Sequence, residues 1–359
     1  MPDPEIHSFD VQRVQNLYRG CLLGGAAGDA LGAPVEFMSM GQITRTFGTD
    51  GIQEYVPAFG KLGAITDDTQ MTLFTAEGVL RAWVAALEHQ PKTISGQISL
   101  SYQRWLHTQR LQHSLHDHYL NGWLITHSEL FARRAPGNTC LSGLQSMRSP
   151  DDVANNESKG CGGVMRVAPV GMYCATLLNS SGTDRDRLTN DAFELGCQSA
   201  AITHGHRTGQ LASGAFAAII MQLLTGADLE SAIKTALREL AEKPGHEETT
   251  EAIKAACCLA AERPNDDAAL EQLGGGWIAE EALAIALYCA LSAADFRSGV
   301  ILAVNHSGDS DSTGSIAGQL SGAMYGAKAI PQSWLQPLEL QAVMETMADD
   351  LARFEEWNL

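Results

Sequence analysis

The sequence predicts an all-α fold. Apolar residues recur at spacings of three and four through several long segments, no stretch alternates β-branched and polar residues between hairpin turns, and Ala, Leu and Gly dominate the composition. The chain has 359 residues, 45% hydrophobic and 6% aromatic, enough for one large helical domain or two ordinary ones. Polar or breaker-rich stretches at 41–63, 90–97, 133–160, 179–190, 243–250 and 263–276 are each too short for a disordered linker. The expectation is a compact single-domain helical bundle over 13–359, preceded by a mobile extension at 1–12.

Taken in order, the first segment carries glycines every four residues, Gly20, Gly24, Gly28 and Gly32, and a late segment repeats the spacing at Gly314, Gly318, Gly322 and Gly326. Glycine inside a helix costs about 1 kcal/mol relative to alanine. Two such ladders therefore predict two central helices whose backbones approach closely, bringing Glu36 near Asp309 and Asp311. Loops 41–63 and 133–160 are long enough to shape a binding cleft. Beyond Thr66, Leu73, Ala76, Leu80, Trp83 and Leu87 make one apolar helical face, with Thr66 as N-cap. Four histidines between His107 and His118 fall on a further helix and match no metal-ligand spacing, which reads as a partly exposed face. His204 and His206 stand where a helix through Leu211 and Phe216 begins, positions that suit capping or core hydrogen bonding. Cys257 and Cys258 sit within an Ala-rich helix, and Ile316, Leu320, Ala323, Met324 and Ala327 mark the last periodic segment, with Ser or Asp at its capping position.

Charge and cysteine usage exclude several classes of function. Formal charge is −18, from 42 acidic against 24 basic residues, which disfavours a broad nucleic-acid or anionic-membrane surface. The opening residues carry no basic segment followed by an apolar one, and the apolar stretch from Leu211 to Leu224 contains Ser213 and Gln222, so neither a signal peptide nor a membrane span is expected. Eight scattered cysteines follow a reduced, cytoplasmic pattern. Nothing argues for a dimer, and a monomer is expected.

The chemistry concentrates in two acidic clusters about 240 residues apart, Thr66-Asp67-Asp68-Thr69 and Gly308-Asp309-Ser310-Asp311-Ser312-Thr313. Carboxylate and hydroxyl oxygens suit Mg²⁺, Mn²⁺ or Ca²⁺, whereas zinc calls for His and Cys at ligand spacings that do not occur here. Each cluster opens a helix, so acidic first turns answering the helix dipole without a metal are the alternative. Capping needs one or two polar residues, and the second cluster supplies Asp-Ser-Asp-Ser-Thr in succession.

The order of blocks resembles the ADP-ribosylglycohydrolases over about residues 17 to 352. The blocks are 19–32 (Arg19-Gly20-Cys21 through Gly32), Glu36, Thr66-Asp67-Asp68-Thr69-Gln70-Met71, 159–169 (Lys159-Gly160-Cys161-Gly162-Gly163 through Pro169), Thr203-His204-Gly205-His206 and 305–314 (Asn305-His306-Ser307-Gly308 through Gly314). The resemblance implies that family's helical fold and a two-metal site, Mg²⁺ first and Mn²⁺ second. Thr66, Asp67 and Asp68 would bind one ion, Asp309, Ser312 and Glu36 the other, and Asp311 would bridge or approach both. Relatives commonly carry threonine at Ser312 and asparagine at Cys161.

The implied reaction is hydrolysis at the anomeric carbon of ADP-ribose through an oxocarbenium-like transition state, with Asp67 or Glu36 accepting the proton of the attacking water. Ser158, Lys159, Gly160 and Gly162 would receive the pyrophosphate, and His204, His306, Asn305, Ser307 and Gly308 would line the cleft. Arg166, inside an apolar run, reads as a structural ion-pair residue. The expected partners are ADP-ribose and an ADP-ribosylated protein, with arginine the leading acceptor and serine, nucleic acid or O-acetyl linkages as alternatives. A second reading is an immunity protein that blocks an ADP-ribosyltransferase toxin by binding, hydrolysis or both.

Overall fold

The structure is a computed structural model describing residues 4–90, 92–111, 120–181 and 184–357. Among these residues there are sixteen α-helices and no strand, only two isolated bridges. The helices are α1 (Pro4–Gly32), α2 (Met40–Phe47), α3 (Asp67–Leu87), α4 (Ile94–Thr108), α5 (Asn138–Ser146), α6 (Ala168–Ser181), α7 (Arg185–Ala201), α8 (Arg207–Leu224), α9 (Leu229–Ala241), α10 (Glu247–Glu262), α11 (Asp267–Leu270), α12 (Ala279–Ser292), α13 (Phe296–Val304), α14 (Ser310–Tyr325), α15 (Gln332–Leu335) and α16 (Gln341–Arg353). The predicted all-α class holds. Two stretches read as loops contain helices, α2 and α5. Both are short, and α2 is started by a capping box between Ser39 and Gln42 rather than by a long apolar period. His113, His116 and His118 lie outside the described residues.

The two glycine ladders pack against each other, as their spacing predicted. A Cβ built on Gly28 would lie 1.9 Å from the Gly314 carbonyl oxygen, one on Gly24 2.3 Å from that of Gly318, and one on Gly20 2.3 Å from that of Gly322. The ascending order on α1 meets the descending order on α14, so the two helices run antiparallel in backbone contact. Gly326 closes the ladder beside Gly20, where a Cβ would lie 2.6 Å from its Cα, and its φ of 78° ends α14 as a C-cap. Helices α3, α8, α12, α13 and α16 complete the surroundings of this pair.

The stretch from Cys161 to Ser180 has the length and composition of a membrane span, but its window is 83% buried inside the protein. Its apolar surface is spent on the core. All eight cysteines are free thiols.

One buried ion-pair group fixes the approach to α3. Glu339 receives Lys61 Nζ at 2.6 Å and Arg134 through both of its terminal nitrogens, while Arg134 also donates to the Ile65 carbonyl at 2.8 Å. Burial raises the Glu339 pKa, but the hydrogen bonds and charges of Arg134 and Lys61 outweigh it and hold the group below its ordinary 4.5. Because the folded value is depressed, the carboxylate's stabilising contribution is complete above 4.5 and is lost as pH falls through the lowered folded value. Glu339→Gln leaves the Arg134 charge buried without its partner and is expected to cost about 3–5 kcal/mol near neutral pH. Thermal melts of mutant and wild type checked from pH 7 downward should begin to converge below about pH 4.5 and meet only beneath the lowered folded value. A constant gap across that range would remove Glu339 as its cause.

Candidate active site

Helices α1, α3 and α14 bring the acidic residues to one place by their ends. Asp67 and Asp68 open α3, Asp309 and Asp311 open α14, and Glu36 follows the C-terminus of α1, its N–H bonded to the Gly32 carbonyl at 3.0 Å. Glu36, Asp309 and Asp311 each offer a carboxylate oxygen, and these atoms lie within 4.8 Å of one another. Asp67, Asp68 and Ser312 line the same cleft, whose volume is about 420 Å³, the size of a small-molecule site.

Capping does not account for these acids. Thr66 itself caps α3, its hydroxyl accepting from Asp68 N, whereas Asp309 occupies the N-cap position of α14 without making a side-chain cap bond. The carboxylates are surplus to what the helix ends require.

Their electrostatics are severe. Burial, followed by the charge of Asp311, pushes Glu36 up to about 10 and holds Asp67, Asp68 and Asp309 well above the ordinary carboxylate range. Among the described residues no Lys or Arg lines the cleft. Asp68 is 2% exposed, and its Oδ1 has no hydrogen-bond partner among the described residues. A buried carboxylate oxygen left without a donor, on one of five clustered acids, fits hard divalent cations, which would supply the missing positive charge and oxygen-seeking coordination.

Asp29 is a residue that sequence reasoning missed. It is fully buried, accepts from Thr66 N at 3.0 Å, Thr69 N at 3.1 Å and Thr69 Oγ1 at 2.5 Å, and is raised to about 7 by burial and then by Asp311. It thus clamps the first turn of α3 onto α1. The available signal was an acid placed between the apolar and small residues of the glycine ladder, where only a buried partner explains it.

The glycine-rich segment forms a 3₁₀ turn, Cys161–Gly163, beside the acids. Backbone bonds tie it in: Cys161 N donates to the Trp277 carbonyl at 3.1 Å, and Asp309 N to the Gly275 carbonyl at 2.8 Å. Cys161 Sγ lies 2.9 Å from Asp309 Oδ2. At Gly162 a Cβ would meet Cys140 Sγ at 2.7 Å and His204 Cε1 at 3.0 Å, so only glycine fits.

Among the residues expected to touch substrate, Gly160, Gly162 and His204 line the cleft. Ser158, Lys159, Asn305, Ser307 and Gly308 are not among the described residues that line it. Lys159 Nζ is drawn outward to Glu248 at 2.8 Å and to Glu280. Ser158 Oγ bonds the Thr139 hydroxyl at 3.1 Å, so Thr139 stands at the cleft wall in its place. Asn305 instead staples residue 52, accepting from Ile52 N at 2.8 Å and donating to the Ile52 carbonyl at 3.0 Å. Ser307 Oγ accepts from Met40 N at 2.9 Å, and Gly308 lies so near Gly275 that a Cβ would sit 2.0 Å from its oxygen. Thr66 is completely buried behind Asp68 and does not line the cleft. His306 is also internal, bonded to Thr313 Oγ1 at 2.9 Å and lowered by burial to about 4.

Of the two stretches expected to shape the cleft, 133–160 contributes the wall Ala135–Cys140 while 41–63 lies elsewhere. Arg166 makes no carboxylate pair among the described residues. Its guanidinium lies 4.2 Å from the Tyr102 ring centroid and donates to Thr203 Oγ1 at 2.7 Å. Thr203, having accepted from Arg166, has its own O–H to give His204 Nδ1 at 2.8 Å. Burial and then the Arg166 charge lower His204 to about 3. A neutral imidazole whose Nδ1 accepts carries its proton on Nε2, the nitrogen nearest the Gly160–Gly162 turn. His206, by contrast, is the N-cap of α8.

The chain is similar to several known proteins along most of its length. The chain is 26% identical to ADP-ribosyl-[dinitrogen reductase] glycohydrolase of Rhodospirillum rubrum, the match covering 91% of each chain. It is 24% identical to ADP-ribosylarginine hydrolase Tri1 of Pseudomonas putida, covering 93% of this chain and 77% of that one. ADP-ribosylhydrolase ARH3 of Bos taurus is also 24% identical, with coverage of 94% and 92%. A solved structure described as an ADP-ribosylglycohydrolase-related protein complex matches with a TM-score of 0.67 at 27% identity, covering 95% of this chain and 99% of that one. The ADP-ribosylglycohydrolase profile spans residues 10–358, and the chain belongs to that family of hydrolases.

Proposed function

We propose that the protein is a metal-dependent hydrolase that releases ADP-ribose from arginine side chains of a modified protein. The observation that carries this reading is the cleft in which Glu36, Asp67, Asp68, Asp309 and Asp311 converge without a basic residue among them. Glu36, Asp68, Asp309, Asp311 and Ser312 would hold two divalent cations, Mg²⁺ or Mn²⁺, which when bound orient the ribose hydroxyls and acidify a water. Two relatives named as ADP-ribosylarginine hydrolases support the linkage.

Of the two candidate bases, Glu36 belongs to the compact trio with Asp309 and Asp311. Asp67 lines the cleft outside that trio and is steadied by the Gly137 N–H at 3.4 Å, so it accepts the proton from the attacking water. The surrounding carboxylates stabilise positive charge developing at the anomeric carbon. His204 Nε2–H and the backbone exposed by Gly160 and Gly162 receive the anionic pyrophosphate.

Incubating the purified protein with arginine-ADP-ribosylated and serine-ADP-ribosylated substrates, with Mg²⁺ or excess EDTA, tests the reading. The expected outcome is release from arginine that EDTA abolishes. Release from serine alone would reassign the linkage, and EDTA-insensitive release would reject the metal.

A further inference from the structure

Two large aromatic side chains stand exposed at the mouth of the cleft, where burial would ordinarily claim them. Phe37 is 72% exposed and Trp277 44% exposed, yet both line the cleft beside the acids and stack on each other with centroids 5.5 Å apart and planes inclined by 20°. Phe37 holds a φ of 65°, a left-handed conformation costly for a bulky residue and one that recurs at functional sites. The turn after α1 that ends in the Met38 N to Val35 carbonyl bond throws the ring outward. Trp277 is fixed from the other side by its carbonyl bond to Cys161 N, and the adjoining Gly275 and Gly276 N–H groups are held by Glu281 Oε2 at 3.0 and 3.2 Å.

Both rings are tied to the reaction centre by a very short path. Glu36 immediately precedes Phe37, and Gly275, two residues before Trp277, accepts from Asp309 N. A ribose gripped by these carboxylates therefore places the group leaving its anomeric carbon near the pair, whereas the adenine end is separated from that carbon by the pyrophosphate and a second sugar. Five carboxylates outnumber the charge of two divalent cations, and among the described residues no Lys or Arg lines the cleft. An aromatic face within a field of carboxylates favours a planar cation, and a neutral base or a serine hydroxyl gains nothing from the charge.

We propose that Phe37 and Trp277 form the acceptor platform, stacking the guanidinium of the modified arginine and thereby setting the linkage specificity. This rests on the arginine reading above, and its test includes a measurement that needs no turnover. Calorimetry of N-acetyl-arginine amide binding to protein saturated with Mg²⁺ and ADP-ribose should give an affinity that Phe37→Ala and Trp277→Ala each weaken by about tenfold. Trp277→Phe and Phe37→Tyr should restore it. Affinity for free ADP-ribose should stay within about twofold in all four variants, and KM for an arginine-linked peptide should rise with the amide dissociation constant while kcat changes less. An equal loss of ADP-ribose affinity in the alanine variants would assign the pair to adenine and overturn the proposal, as would unchanged amide binding. If the wild type binds the amide through these rings but releases nothing from arginine, the hydrolytic reading fails and the platform stands.

Discussion

Metal-free Asp311→Asn protein is expected to melt a few degrees above the metal-free wild type while hydrolysing ADP-ribosyl substrate more than about 100-fold more slowly in Mg²⁺. The two effects have one origin. Asp311 is buried at the start of α14, and its charge is the foremost charge pushing up Asp29, Glu36, Asp67, Asp68 and Asp309. Asparagine keeps the shape and removes that repulsion, which is uncompensated when no cation is present. In Mg²⁺ the order should reverse, because binding only to the folded state stabilises the wild type by about 2.7 kcal/mol at a hundredfold excess over Kd, a gain the variant forfeits. Calorimetric melts in EDTA and in Mg²⁺, beside initial rates, decide the matter. A variant less stable than wild type in EDTA, with activity retained, would remove Asp311 from the centre of the site.

Gly318→Leu is expected to prevent stable folding, and even Gly318→Ala should cost about 3 kcal/mol or more. A Cβ there would lie 2.0 Å from the Gly24 carbonyl oxygen and 2.6 Å from its carbon, both backbone atoms that no rotamer change can move aside. Helices α1 and α14 would have to separate. Since Glu36 follows one and Asp309 and Asp311 open the other, that separation also widens the acidic trio, so residual folded Gly318→Ala protein should bind Mg²⁺ more weakly. Gly41→Ala in α2 is the control, its Cβ meeting only Arg45 Nη1 at 3.5 Å. That change should leave the melting temperature level or raise it, as helix propensity dictates. Equal melting temperatures for Gly318→Ala and wild type would refute close backbone packing as the reason for the ladder.

Both the ladder and the acidic clusters were legible because their meaning lies in residue identity at fixed local spacing. Glycine every fourth residue has no rationale in an isolated helix, and carboxylates beyond capping need have none in a helix terminus. The long-range partners of Lys159, Asn305 and Arg166 were not legible for the opposite reason. Lys159 lies next to a cleft-lining glycine, but Glu248 and Glu280, about 90 and 120 residues further on, draw its ammonium outward. Arg166 sits on the Tyr102 ring and Asn305 on the backbone of residue 52, contacts that only long-range packing creates.

Sequence alone determined the all-α class, the close packing of α1 against α14, and the presence of surplus carboxylates at two helix starts, because periodicity, missing side chains and donor chemistry are properties of the residues themselves. Tertiary structure decided which neighbours of those ligands face the cleft, how Asp29 clamps α3 to α1, and that Phe37 and Trp277 share its rim. A side chain's direction is set by competition among partners distant in the chain, and the winner of that competition is written only in the packed fold.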